Sequence, residues 1–411
     1  MSVVPPGTRH VVLGVCGSIA AYKVVEVCRR LVDDGVHVSP VMTADAARFL
    51  GPATLSALAS EPVHDSLWAD AEPIPHTALG RAADVVLVAP ATATLLAKYA
   101  AGIADDLLTA TLLATRSPVV VCPAMHAEMW EHPATVDNVA TLRRRGVLVV
   151  GPGLGRLAGG DEGAGRLADV EEILAVIHRL LSPQDLVGCT VLVTAGGTRE
   201  AIDPVRYLGN RSSGRQGEAL AVEAAARGAM VTLVTATERP APSAVDVVRV
   251  ESAAQMEEAV LARSPEADVI IMAAAVADFR PKEPAETKLH KADGVPEIVF
   301  EPTTDILAEL GRRKRPGQVL VGFAAETGEV RSASADKLRL KRLDLIVAND
   351  VTAPGVGFGH DTNAATLLDA AGTWTDVSLT TKRRLASIVL DVVAGLVSAQ
   401  GLGADTREAH E

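Results

Sequence analysis

Several residue groups in this chain have the types and spacing to bind anions or carry protons. Gly17-Ser18 follows an apolar β-branched run and opens a helical period. Free N–H groups, a hydroxyl and the helix dipole at such a place hold one phosphate, although an unliganded tight turn reads the same way. Arg206-Tyr207-Leu208-Gly209-Asn210-Arg211-Ser212-Ser213-Gly214-Arg215 also precedes a helix, and is either an anion site or a charged surface turn. Asp278 and Lys288 flank a polar loop. Lys337 and Lys341 are spaced i, i+4, so both ammonium groups reach one side of a helix, where solvation is the ordinary use of such lysines. His76, in Ile74-Pro75-His76-Thr77, has the one side chain that titrates near neutrality, yet a lone histidine there is more often a surface loop residue. Ala89-Pro90-Ala91-Thr92-Ala93 and Pro123-Ala124-Met125-His126-Ala127-Glu128-Met129-Trp130 each follow a strand pattern. Small residues at a sheet's carboxyl edge let backbone approach a flat ring, and a capped strand with Met and Trp as core fillers is the plainer reading.

The elements that must position these groups are legible as short β-branched runs alternating with helical periods. In the first half the runs are His10–Val15, Val36–Met42, Asp84–Ala89, Pro118–Cys122 and Val147–Val150, with helices at Ala20–Asp33 and Thr135–Arg145. This predicts a mostly parallel sheet with helices on both faces. The glycine-rich stretch Gly151–Gly165 reads equally as a mobile flap or a loose surface loop. A helix at Asp169–Leu181 ends at Ser182-Pro183, after which strand, small-residue turn, helix and strand recur from Thr190. The expected organisation is therefore an α/β chain of two Rossmann-like domains at 1–181 and 189–400, a linker at 182–188 and a disordered tail at 401–411. Further strands are expected at Val245–Val250, Val269–Ala274, Val319–Phe323 and Leu345–Ala348. A β-hairpin at Ala364–Asp369 and Trp374–Leu379 leads to a helix at Lys382–Val397 capped by Thr380 or Thr381.

Composition limits the partners. Hydrophobic residues make up 48% and charged residues 22%, enough for large cores. A net charge of −12 and an aromatic content of 3% disfavour nucleic acid, which needs a positive field and stacking rings. The longest apolar stretch, Val85–Ala97, contains Pro90 and two threonines and is too short and polar to span a bilayer. Cys16, Cys28, Cys122 and Cys189 form no C-x-x-C pair, which fits a reducing cytoplasm, and the opening MSVVPPGTRH does not read as a signal peptide. Neither Gly turn matches G-x-G-x-x-G, which argues against a nicotinamide dehydrogenase.

Cys16-Gly17-Ser18-Ile19-Ala20-Ala21-Tyr22-Lys23, the Ala89–Ala93 segment, Ala104-Asp105-Asp106-Leu107-Leu108 and Pro123-Ala124-Met125 with Met129-Trp130 resemble the flavin-dependent cysteine decarboxylases. The nearest resemblance is to the bacterial bifunctional phosphopantothenoylcysteine decarboxylase/phosphopantothenate–cysteine ligase family, and it runs over nearly the whole chain in order. It implies a flavodoxin-like first domain holding FMN. The phosphate would lie at Gly17 and Ser18, and the ring near Thr43, Ala91, Thr92 and Ala93. His76 would be the catalytic histidine and Met125 a substrate contact. Oxidation of the cysteine thiol carbon would create a C=S electron sink for loss of CO2, after which reduced flavin returns the electrons. His126 stands where the family usually has Asn, and Gly159 where the flap usually carries a cysteine. The final proton donor is thereby left to His126 or water.

In the second half Thr194-Ala195-Gly196-Gly197-Thr198, Asn210–Gly214, Ala273–Asp278, Asp305-Ile306, Val321–Thr327 and Ala348-Asn349-Asp350-Val351 resemble the ligase of the same family. The resemblance implies CTP and Mg2+. Ala275, Asp278, Lys288, Thr304, Asp305, Ile306, Leu307, Phe323, Lys337 and Lys341 would contact the nucleotide, and Arg206, Ser212, Ser213 and Gly214 the substrate. A 4′-phosphopantothenate carboxylate would attack the α-phosphate of CTP, giving an acyl-cytidylate that the L-cysteine amine opens. Lys288 would neutralise phosphate charge, and Asn210 would polarise the acyl carbonyl. It also implies trimeric flavin domains and dimeric ligase domains. Competing readings are a ligase with a degenerate decarboxylase half, a flavin-binding regulator, and an unrelated dehydrogenase.

Overall fold

The computed structural model describes residues 8–68, 74–156, 160, 162–242, 244–291, 294–326, 330–350, 352–353, 355–357 and 359–400. Gly159, Thr327, Val351 and the expected tail at 401–411 lie outside them. The chain divides into two compact units, Met1–Ser182 and Pro183–Glu411.

In the first unit the elements are β1 (His10–Val15), α1 (Ala21–Asp33), β2 (His37–Met42), α2 (Pro52–Leu58), α3 (Pro75–Ala82), β3 (Val85–Ala91), α4 (Ala93–Ala101) and α5 (Leu107–Ala114). They continue with β4 (Val119–Pro123), α6 (Ala127–Glu131), α7 (Pro133–Arg144), β5 (Leu148–Val149), β6 (Gly153–Arg156), β7 (Glu162–Arg166) and α8 (Val170–Leu181). Five strands form a parallel sheet in the order β2-β1-β3-β4-β5, a flavodoxin-like arrangement. Strand alternation divides the core. Val11, Leu13 and Val15 pack with Val24, Val27 and Leu31 of α1 and Ile173 and Ile177 of α8. Val12 turns to the opposite face, with Leu79, Leu96, Leu108 and Leu142. Each such buried side chain contributes roughly 1.5–3 kcal/mol. The glycine-rich stretch is not a plain loop: β6 and β7 pair antiparallel as a hairpin.

The second unit contains β8 (Thr190–Ala195), β9 (Arg199–Ala201), β10 (Tyr207–Gly209), α9 (Arg215–Ala226), β11 (Met230–Thr235), β12 (Asp246–Arg249), α10 (Ala253–Arg263) and β13 (Val269–Met272). β14 (Phe279–Pro281), β15 (Phe300–Pro302), α11 (Ile306–Arg313), β16 (Val319–Glu326), α12 (Val330–Leu340), β17 (Leu345–Asp350), β18 (Thr362–Asp369), β19 (Trp374–Thr381) and α13 (Lys382–Ala399) follow. The eight-stranded sheet runs β12-β11-β8-β13-β16-β17-β18-β19, parallel except for the expected hairpin β18-β19, which joins it antiparallel at one edge. One face packs Val191 and Val193 against Leu220 of α9 and Leu385 and Val389 of α13. The other packs Ile270 and Leu320 against Val260 of α10 and Leu310 of α11. Thr381 caps α13, its hydroxyl accepting from Arg384 N at 3.0 Å. The small pairs β9-β10 and β14-β15 were not legible as strands, because three-residue strands carry too few alternations to register.

Candidate functional sites

In the first unit the carboxyl ends of β1, β3 and β4 meet. Cys16 N donates to Pro90 O at 3.3 Å and Ala124 N to Ala91 O at 3.1 Å, so the three turns are laced together. Thr92 is the N-cap of α4, its hydroxyl accepting from Leu95 N at 3.3 Å. Beside these turns lies a cavity of about 650 Å3, lined by Gly17, Ser18, Thr92, Ala93, Met125 and His126 of the expected set. Ile19, Ala20, Phe49, Ala124 and Met129 give it apolar walls, while Lys23 and Arg166 add positive charge near the amino end of α1. Burial pushes the Lys23 ammonium below its usual value, as does Arg166, with Asp169 opposing.

The hairpin β6-β7 closes one side. Met125 N donates to Gly165 O at 3.0 Å. A Cβ on Gly165 would stand 2.2 Å from the Met125 carbonyl oxygen, so only glycine permits this approach. These features fit a flat tricycle with a phosphate: small and apolar side chains for the ring, a hydroxyl, two cations and a helix amino end for the anion.

Three expected residues are not in that lining. Ala91 is fully buried in β3. The Thr43 N–H is taken by Val15 O at 3.0 Å. His76 sits on the first turn of α3, and its Nδ1 is buried with no hydrogen-bond partner among the described residues. All four cysteines are buried. Burial raises the Cys16 thiol to about 12 and the Cys28 thiol to about 11, which keeps both protonated near neutrality.

In the second unit a cavity of about 550 Å3 gathers thirteen of the expected residues: Asn210, Ser212, Ser213, Gly214, Ala275, Asp278, Thr304, Asp305, Ile306, Leu307, Phe323, Lys337 and Lys341. Gly214, at φ 75°, is the left-handed N-cap of α9, and a Cβ on it would stand 2.6 Å from Thr237 Cγ2. Asp305 caps α11, accepting from Ala308 N at 3.0 Å. Lys341 ion-pairs with Asp305 at 2.8 Å, and Lys337 with Glu326. Both lysines thus line a cavity beside acidic partners rather than standing free on a helix face. Desolvation tends to raise the Asp305 carboxyl, but the Lys341 hydrogen bond and the Ala308 N–H outweigh it and hold the group low.

Two expected residues, Arg206 and Lys288, lie outside that lining, and the side chain of a third, Asn210, is engaged by backbone carbonyls. Asn210 donates through Nδ2 to Ala275 O at 3.2 Å and to Val276 O at 3.0 Å. Both amide protons are committed, so the side chain ties the loop before α9 to the loop after β13 and has no donor left for an acyl carbonyl. Arg206 pairs with buried Asp203, Nε to Oδ2 at 2.9 Å, and donates to the Leu289 carbonyl. It organises a turn outside the cavity lining. Lys288 is exposed in the segment between β14 and β15 and does not line the cavity either.

Lys382 was missed. It is buried in the cavity wall at the first residue of α13, where its Nζ donates to Gly357 O at 3.3 Å and to His360 O. Burial, then Arg215, lower its pKa against the opposing pull of Asp361. Nothing local marks it in the sequence, since a lysine opening a helix is ordinary and only the returning 355–361 segment buries it.

Among the described residues no helix is long and apolar enough to cross a membrane. The flavoprotein family matches residues 5–182, and the DNA/pantothenate metabolism flavoprotein C-terminal domain matches residues 186–396. The coenzyme A biosynthesis bifunctional protein CoaBC of Mycobacterium tuberculosis is 50% identical over 402 residues, covering 94% of this chain and 96% of that protein. Its namesake in Bacillus subtilis is 41% identical over 401 residues, covering 96% and 98%. The crystal structure of a C-terminal domain of CoaBC is 40% identical and covers 53% of this chain and 99% of its own, with a TM-score of 0.45. That of the FMN-dependent cysteine decarboxylase SpaF is 38% identical and covers 42% and 98%, with a TM-score of 0.36. With two family domains in tandem and close relatives matched along nearly their full length, the chain belongs to the family of coenzyme A biosynthesis bifunctional proteins, a flavoprotein decarboxylase unit followed by a ligase unit.

Proposed function

We propose that the second unit joins L-cysteine to 4′-phosphopantothenate at the expense of CTP, and that the first unit decarboxylates the product to 4′-phosphopantetheine with FMN. The gathering of thirteen separately placed residues in one cavity of the second unit carries the ligase assignment. Ser212, Ser213 and Gly214 at the amino end of α9 receive the phosphate of 4′-phosphopantothenate. Ala275, Asp278, Thr304, Ile306, Leu307 and Phe323 hold the cytidine side. Lys337 and Lys341 turn from Glu326 and Asp305 to the triphosphate, which enters as its Mg2+ complex.

A carboxylate cannot acylate an amine directly, because oxide is its leaving group. Its attack on the α-phosphate releases pyrophosphate, and the cysteine amine then displaces CMP. Asn210 acts by fixing the loop geometry around the acyl group. Lys288 and Arg206 lie outside the cavity lining, so each must move toward the cavity for Lys288 to reach the nucleotide and Arg206 the substrate.

In the first unit Gly17, Ser18, Thr92 and Ala93, with Lys23 and Arg166, would hold FMN. Thr43 and Ala91 support those turns from behind. The bound flavin supplies reversible two-electron redox chemistry to a substrate that has no electron sink of its own. Met125 and His126 line the same cavity on the side of the hairpin and contact the cysteine end of the substrate. With all four thiols buried, proton return to the decarboxylated carbon falls to His126 or a water it orients, and His76 carries the earlier proton movement.

The reading is tested with purified protein, 4′-phosphopantothenate, L-cysteine, Mg2+ and CTP or ATP, following pyrophosphate and CO2. Pyrophosphate should form with CTP in preference to ATP, and CO2 should follow in near-equal amount. Pyrophosphate without CO2 would leave a ligase with an inactive flavoprotein unit.

A further inference from the structure

A second cluster of chemistry-bearing side chains lies at the other end of the first unit's sheet. His10 opens β1 and His37 opens β2, and the two are paired in register. Their rings stand side by side, centroids 4.6 Å apart and nearly perpendicular at 88°. Glu61 comes from the segment after α2, which runs along β2: Ser60 N donates to Val38 O at 3.2 Å and His64 N to Pro40 O at 2.9 Å. His10, His37 and Glu61 are all buried, at 2%, 8% and 6% exposure. We propose that His10, His37 and Glu61 form a binding site for one divalent cation of the Zn2+ class.

The hydrogen bonding of the cluster is one bond short. The Ser39 hydroxyl hydrogen-bonds Glu61 Oε1 and lies 2.7 Å from His10 Nε2. His64 Nε2 stands 3.1 Å from the same carboxylate oxygen. His37 Nε2 has no hydrogen-bond partner among the described residues, although it is buried and lies 4.0 Å from Glu61 Oε1. An unpaired ring nitrogen at such depth is rare and carries the desolvation penalty of its lost hydrogen bond. A cation among the three side chains satisfies that nitrogen and neutralises the buried carboxylate in one step.

The geometry and donor set define the class of ion. One donor atom from each of His10, His37 and Glu61 lies within 4.8 Å of the others. Zinc bonds of about 2.0–2.1 Å in a tetrahedron place ligand atoms roughly 3.3 Å apart, so the required contraction is at most about 1.5 Å, within reach of side-chain torsions. Two imidazoles and one carboxylate suit Zn2+ or Co2+, whereas Mg2+ and Ca2+ prefer oxygen donors throughout. β1 runs from His10 to Val15, so the site lies roughly 16 Å from the carboxyl end of β1, beyond which the Gly17 turn begins. The ion therefore clamps β1, β2 and the 60–64 segment and takes no part in the flavin chemistry.

The test uses the full-length protein stripped with chelator and titrated with Zn2+ and Co2+ in the absence of nucleotide. One equivalent per chain should remain after desalting, with a rise in melting temperature on Zn2+ addition. His37→Gln should weaken binding by at least about tenfold, the lower bound for outer-sphere losses. Ser39→Ala, which removes the hydroxyl bridge but no ligand, should bind at least as tightly as wild type. X-ray absorption of the zinc-loaded wild-type protein, which needs no variant to fold, should show two imidazoles and oxygen. The proposal is overturned if wild type retains no zinc, if His37→Gln binds unchanged, if Ser39→Ala loses the ion, or if the spectrum shows sulfur or oxygen alone.

Discussion

At the scale of single residues, burial and hydrogen bonding set the chemistry more than residue type does. Desolvation tends to raise the Asp203 carboxyl, but N–H groups of Val205, Leu289 and Arg206, together with the Arg206 guanidinium, hold it well below the usual carboxylate range. A carboxyl with a depressed folded-state pKa contributes stability that is complete above its unfolded pKa, about 3.9, and is lost as pH falls through the folded value. Asp203→Asn should therefore lower the melting temperature at pH 7, and the gap from wild type should narrow as the pH is taken below 4. A gap that is constant with pH would show that the charge is not what matters. The cysteines make the opposite point, since Cys16 and Cys28 are raised solely or mainly by burial. At pH 8 native protein should take up no iodoacetamide by mass spectrometry, and all four thiols should react once it is unfolded.

At the scale of elements, two glycines hold the sites in shape. Gly165 lets the β6-β7 hairpin lie on the Met125 carbonyl, and Gly214 turns the chain left-handed into α9. Gly165→Ala should displace the hairpin, release flavin on dialysis and lower CO2 formation by about tenfold or more, while leaving pyrophosphate formation intact. Gly214→Ala should lower pyrophosphate formation while CO2 release from supplied 4′-phosphopantothenoylcysteine stays intact, because it strains the amino end of α9 by placing a side chain at positive φ. The flavin absorbance of each purified variant, read beside its two product yields, checks both statements. If either substitution lowers pyrophosphate formation and CO2 release from supplied 4′-phosphopantothenoylcysteine equally, general loss of folding is the cause.

For the whole molecule, each unit carries its own sheet, its own pair of core clusters and its own cavity. The two reactions should therefore be separable by point substitution. Lys341→Ala removes the cationic partner of Asp305 and leaves that carboxylate facing the nucleotide. It should cut pyrophosphate formation by about 100–1000-fold, the range for removing one preorganised donor from a closed site. Decarboxylation of supplied 4′-phosphopantothenoylcysteine should stay at the wild-type rate. Loss of CO2 release from that supplied substrate would show that the two activities are coupled.

The amino-acid sequence by itself determined the alternation of strands and helices, the two-layered halves, the hairpin at the far edge and the family motifs. These are local, since β-branched runs, caps and turn residues act over a few positions. Tertiary structure decided the rest. It spent both amide protons of Asn210 on carbonyls 65 and 66 residues away and turned Arg206 to Asp203 and Leu289. It also buried Lys382 under the 355–361 segment. The glycine-rich stretch became a hairpin because the Met125 backbone offered it a partner. His10, His37 and Glu61 came together because strands in register place distant residues side by side. Where a side chain's partner is remote in the chain, no local pattern encodes the contact, and its chemistry is fixed only when the fold closes.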